Sequence, residues 1–97
     1  MVRKMKLHEL KIKHEYLIDV ALGNKTFELR YNDRDYQVGD LISFIDISVG
    51  YTSNDVEPYI DENTLYRITY VLKDVEKYGL DKDYCILGIK KLEIKEK

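Results

Sequence analysis

Three ionic side chains fall within six residues of one another in the run Gly23-Asn24-Lys25-Thr26-Phe27-Glu28-Leu29-Arg30. A second arginine follows in the polar stretch Asn32-Asp33-Arg34-Asp35. On an extended strand Glu28 and Arg30 share a face, with Cα atoms ~7 Å apart. The planar fork of arginine suits a phosphate or the Hoogsteen edge of guanine, and a carboxylate suits the exocyclic amine of a base. Lys25 adds a point charge that can meet a phosphate or base. Each residue also has a structural reading. Glu28 and Arg30 can form an ion pair at the mouth of a barrel. Lys25, just past a helix, can complement the helix dipole, worth about 0.3–1 kcal/mol. Asn32 and Asp33 have the chemistry of turn residues. Arg34 fits a turn less well and is expected at a ligand. Tyr36 can stack on a base, at ~1–3 kcal/mol in single-strand binders. With nine tyrosines and no tryptophan in the chain, packing in the sheet explains most tyrosines, and Tyr36 reads more readily as a partly buried hinge.

His8 shares parity with Leu10 and Ile12, which fits an inward-pointing, satisfied histidine, while its ring nitrogens also qualify it as a contact. Lys11 and Lys13 are placed to attract phosphate at a cleft mouth, or simply to be solvated. His14 and Cys85 complete a set too poor in soft ligands for zinc, so no metal and no cofactor are expected. There is no phosphate-cradling glycine loop and no Ser/His/Asp set. Gly39-Asp40 reads as a turn without chemistry.

Positioning these residues falls to short elements. Residues 4–13 alternate as a strand, and residues 14–22 carry Leu17, Val20 and Ala21 at helical spacing, with Gly23 at the stop position. Residues 25–31 form a strand in which Phe27, Leu29 and Tyr31 are expected to face the core, with Thr26, Glu28 and Arg30 opposite. Further strands are expected over 40–47, 65–73 and 84–94. An irregular insert spans 49–63, and a loop spans 74–82 in which Val75–Tyr78 can make a helical turn. The connections look too short for helical crossovers. The expectation is therefore an α+β domain over residues 1–97, with mostly antiparallel strands curled into a small pseudo-barrel and one short N-terminal helix.

Size and composition bound the function. At 97 residues, with 44% hydrophobic and 35% charged, the chain fits one globular domain with a single core. No apolar run approaches the ~20 residues that span a bilayer, so no membrane partner is expected. A lone cysteine and an N-terminus without an apolar leader predict a reducing, cytoplasmic setting. The net charge of −2 argues against general coating of nucleic acid. Its distribution is uneven, however. Arg3, Lys4, Lys6, Lys11 and Lys13 oppose only Glu9 in residues 1–14, whereas residues 46–62 hold Asp46, Asp55, Glu57, Asp61 and Glu62 with no cation.

The spacing Gly23-x-Lys25-x-x-Glu28-x-Arg30 resembles that of the ASCH domains of the PUA-like superfamily. His8-Glu9-Leu10-Lys11 precedes the helix that ends at Leu22-Gly23, and the near-continuous run Phe27 to Asp40 follows. Together they resemble an uncharacterised bacterial and phage family within that group, the domain of unknown function 3850. The resemblance implies a PUA-like pseudo-barrel with a cleft between the helix and the strand bearing Glu28 and Arg30. It also implies an RNA- or nucleotide-binding module. Its contact residues would be His8, Lys11, Lys25, Glu28, Arg30, Asn32, Arg34 and Tyr36. Two alternatives stand beside it. Some small ASCH proteins are amidohydrolases acting on acetylated cytidine, using a lysine and a threonine three residues later. This chain keeps Lys25 but has Glu28 at the threonine's place, and no residue here aligns with that group's later glutamate. The other alternative is a phage or bacterial accessory domain that meets a basic partner through its acidic insert.

Overall fold

A computed structural model describes residues 4–47 and 64–92. Five strands, β1 (Leu7–Ile12), β2 (Phe27–Tyr31), β3 (Leu41–Asp46), β4 (Leu65–Leu72) and β5 (Tyr84–Lys91), accompany one helix, α1 (His14–Ala21). The strands form one curled sheet in the order β1-β3-β4-β5-β2, so β1 and β2 are its two edges. The acidic insert expected over residues 46–62 lies, beyond Ile47, outside the described residues.

The alternation His8, Leu10, Ile12 places those three side chains inside, where they join Ile42, Phe44, Tyr66, Ile68, Cys85, Leu87 and Ile89 in the core. Leu17 and Val20, one helical turn apart, lay α1 over this layer against β3. The helix stops where Gly23 adopts φ +81°, a conformation that carries little steric cost only for glycine. Asn24 and Lys25 both donate their backbone N–H to the Asp19 carbonyl, which turns the chain directly into β2.

Two features depart from the sequence expectation. The β1–β3 pairing is parallel (Leu7 opposite Leu41, Ile12 opposite Asp46), while the other three pairings are antiparallel. The link between β1 and β3 is not a short hairpin. It is a crossover that contains α1 and all of β2, long enough to bring the chain back in the same direction. The second departure is the face of β2. Phe27, Leu29 and Tyr31 are 48%, 44% and 56% exposed, and Glu28 is buried at 4%. Alternation separates two faces but does not say which one turns inward. On this edge strand the carboxylate turns in because cations meet it there, and the apolar side chains lie on the outer face, where Tyr31 stacks on Tyr84. The expected helical turn at Val75–Tyr78 is a 3₁₀ turn that buries Val75.

The sheet curls into a half-barrel whose edges approach without pairing through their backbones. Leu41 donates to the Lys6 carbonyl and Ile47 to that of Ile12, so the even residues of β1 point at β3. Backbone groups alternate sides along a strand, so the carbonyls of Glu9 and Lys11 point to the open edge. On β2, Thr26 accepts from Ile89 and Asn32 donates to Asp83, so even residues face β5 and the Phe27 carbonyl faces the opening.

Candidate functional site

Cationic side chains cover these three edge carbonyls. Lys25 Nζ donates to the Phe27 carbonyl at 2.8 Å. Arg30 Nη2 reaches across to the Lys11 carbonyl at 2.6 Å, and Arg34 Nη1 to that of Glu9 at 3.0 Å. Arg30 and Arg34 therefore bridge the seam from the β2 side to β1. All three contacts are solvent-exposed, so each adds only a modest net ~0.5–1.5 kcal/mol, and the arginines are part of how the half-barrel holds its edges.

Beneath the seam Glu28 is clamped between two cations. One carboxylate oxygen accepts from Lys25 Nζ, and the other accepts from Arg30 Nε at 3.0 Å. The Glu28 side chain is 5% exposed, and those of Lys25 and Arg30 are 20% and 21% exposed. Burial of a lone carboxylate would be prohibitive, but paired with two charge-assisted hydrogen bonds it is tolerated. Lys25 also lies 5.0 Å from the centre of the Phe27 ring and 5.7 Å from that of Tyr16, within cation–π range.

A cleft of about 500 Å³ opens beside this cluster, between the two sheet edges and the start of α1. Its charged lining is Lys11, Lys13, Lys25 and Arg30 against the already neutralised Glu28. Its apolar walls are Ile12, Leu29, Ile47 and the half-exposed rings of Tyr16 and Phe27. The arrangement suits a ligand that is anionic at one end and flat or apolar at the other. Neither Lys25 nor Arg30 spends all its donors on the contacts above, so both retain hydrogens for a guest.

A family model for a domain of unknown function, DUF3850, matches residues 7–89. The chain belongs to the DUF3850 family. The match spans every strand from β1 into β5, and so covers both edges of the cleft. A comparison with the curated proteins finds no match.

In this DUF3850 chain the expected contact residues divide into three groups. Lys11, Lys25, Glu28 and Arg30 line the cleft together, with Lys13 beside them. Arg34 sits at the seam above Glu9, and Asn32 is exposed just past β2, outside the cleft lining. His8 and Tyr36 are inside the protein, 6% and 2% exposed, with ring centres 4.8 Å apart. Tyr36 is thus a core residue rather than a half-buried hinge, and burial pushes its phenol above the usual 10.0 while Arg34 and Arg30 partly offset that shift.

Asp40, read from sequence as a turn without chemistry, is fully buried. Its carboxylate is 2.8 Å from His8 Nε2 and accepts the backbone N–H groups of Lys6 and Gln37. It anchors the loop that carries Arg34 and Tyr36 to the first turn of β1. At the far end of the same strands His14 Nδ1 lies 2.6 Å from Asp46. Sequence reasoning also missed Tyr16 and Phe27. Tyr16 stands next to the core residue Leu17 and off the apolar helical stripe, which is a usable signal. Phe27 was hidden by the inverted face of β2. Among the described residues no group of His, Cys, Asp and Glu is arranged to hold a metal ion.

Proposed function

We propose that this DUF3850 domain is a PUA-like module that binds RNA or a nucleotide in the cleft between its sheet edges. The observation that carries the reading is the composition of the cleft: Lys11, Lys13, Lys25 and Arg30 surround a single, internally paired acid beside the open faces of Tyr16 and Phe27. Phosphate would sit against Lys11, Lys13 and the free N–H groups of Arg30. A base would stack on Tyr16 or Phe27, contacts worth ~1–3 kcal/mol per base. Within this reading Glu28 holds Lys25 and Arg30 in place. Arg34, Tyr36, His8 and Asp40 shape the rim from behind.

The test is equilibrium binding of a fluorescent single-stranded RNA and of nucleoside monophosphates at low salt. Lys11→Ala/Lys13→Ala changes exposed side chains and leaves the seam intact. Affinity should fall in this variant and should fall with salt in the parent, by about 0.7 log units per tenfold salt for each phosphate contacted. Absence of any binding at low salt would remove the reading.

A second reading is hydrolysis of an acetylated nucleoside, favoured by the direct contact between the Lys25 amine and the Glu28 carboxylate at the cleft wall. In that reaction water would attack the acetyl carbonyl, Glu28 would take its proton and pass it to the departing cytidine amine, the Lys25 ammonium would stabilise the oxyanion, and acetate would be released. Deacetylation of acetylcytidine that disappears in Lys25→Ala would establish this chemistry, and no turnover would exclude it.

A further inference from the structure

A second groove lies on the other side of Lys25. It measures about 330 Å³ and runs between the end of α1 and the end of β5. Its floor is apolar, with Val20, Tyr66 and Ile89, and its charged lining is Lys25, Lys90 and Lys91 without an acid. Lys25 is a wall of both hollows. The helix end that borders this groove is not a source of strong negative potential. The Ile18, Asp19 and Val20 carbonyls there accept N–H groups from Leu22, Asn24, Lys25 and Gly23.

A second observation concerns the register of the sheet. Lys90 stands directly opposite Arg67 on β4, and both are exposed. Like charges facing each other across a strand pair are destabilising. Among the described residues neither has a carboxylate within ion-pair distance. A like-charged pair of this kind gains from an anion lying over it. Lys91, one residue on, stands opposite the buried Tyr66 and faces the groove from the inner side of the sheet.

We propose that the two hollows are one track and that the ligand is a single-stranded nucleic acid. Its chain passes from the Lys11–Arg30 cleft over Lys25 to the Lys90, Lys91 and Arg67 corner. This rests on the nucleotide-binding reading and extends it: a mononucleotide would fill only the first cleft, whereas a strand engages both. The second groove lacks exposed aromatic walls, so it takes backbone phosphates while the first cleft takes a base. Affinity at the second groove is therefore electrostatic and tolerant of sequence.

The experiment compares a hexanucleotide RNA, the matching DNA and a nucleoside monophosphate on the full chain and on Lys90→Ala/Lys91→Ala. Counterion release from single strands contributes ~0.7 log units per phosphate contact for each tenfold dilution of salt. Losing two contacts should therefore weaken hexanucleotide binding roughly 25-fold at 0.1 M salt and flatten the salt slope by about 1.4. Monophosphate affinity should be unchanged, and the melting temperature should stay level or rise slightly as the Lys90–Arg67 repulsion is removed. Arg67→Ala should weaken the hexanucleotide in the same direction. Equal loss for RNA and DNA supports backbone recognition, and a loss confined to RNA supports the same track with ribose contacts. If the double variant binds the hexanucleotide as tightly as the parent while Lys11→Ala/Lys13→Ala does not, the track is wrong and the cleft stands. Tighter binding of polyglutamate than of the hexanucleotide overturns the assignment in favour of an acidic protein partner. If neither nucleotide nor strand binds, the cleft reading and this extension fail together.

Discussion

Replacing Glu28 with glutamine tests whether the charged cluster holds the sheet edge together. The substitution keeps the shape of the side chain and removes its charge. Lys25 and Arg30 then face one another across a neutral amide in a site where Glu28 is 5% exposed. Removing one partner of a buried ion pair costs ~3–5 kcal/mol. Both cations are about one-fifth exposed and keep a carbonyl acceptor, on Phe27 and Lys11 respectively. They can re-aim towards water, so about 2–3 kcal/mol is expected. A domain of this size loses roughly 4–8 °C of melting temperature per kcal/mol, so Glu28→Gln should melt roughly 10–20 °C lower than the parent. It should still fold at 25 °C, given a typical total of about 5–15 kcal/mol. Thermal and urea unfolding followed by circular dichroism measure the loss. A double-mutant cycle with Arg30→Met should show that the second substitution costs much less once the first is present. A drop of under about 3 °C, against the ~4–8 °C expected per kcal/mol, or strictly additive substitutions would refute the coupling.

Three further outcomes are expected. Asp40→Ala strips acceptors from the buried His8 ring and from two backbone N–H groups, and should cost about 3 kcal/mol or more in urea unfolding, each stranded donor costing ~1–3 kcal/mol; a loss below about 1 kcal/mol would contradict this. Arg30→Ala should destabilise the fold more than Arg34→Ala, because Arg30 pairs with the buried Glu28 as well as bonding the Lys11 carbonyl, while Arg34 makes a single exposed contact; equal urea midpoints would show that the seam does not depend on Glu28. Burial raises the Cys85 thiol above its ordinary 9.0 and the Tyr36 and Tyr66 phenols above 10.0. The unfolded chain gives up these protons at lower pH and so binds fewer of them. Stability is therefore fully present below about pH 9 and falls as pH rises beyond it. A melting temperature that stays flat or rises from pH 8 to pH 10.5 would contradict this.

Most element boundaries were legible in the sequence because they rest on local chemistry. Gly23 ends the helix one residue beyond Leu22, and the β-branched and aromatic content of residues 65–72 marks β4. His8 was readable as inward from its parity with Leu10 and Ile12. What escaped depends on partners distant in the chain. The parity of β2 was visible, but its inward face was decided by Lys25, Arg30 and the β1 carbonyls, so Glu28 outcompeted Phe27 for the interior. The parallel β1–β3 pairing requires β2 to be carried away to the far edge, which connection lengths alone do not reveal. Asp40 sits in a sequence typical of turns, and its partner His8 lies 32 residues earlier. The cleft residues were legible as a group of charges. The aromatic walls Tyr16 and Phe27 emerged only once the two sheet edges were brought together.

A titration of the ¹⁵N-labelled chain with a nucleoside monophosphate, followed by amide chemical shifts, tests the cleft most directly. Saturable shifts at residues 11–16 and 25–30, with residues 75–83 unmoved, are the expected result. Shifts confined to other surfaces, or none at millimolar nucleotide and low salt, would contradict a nucleotide site between the two edges of this half-barrel.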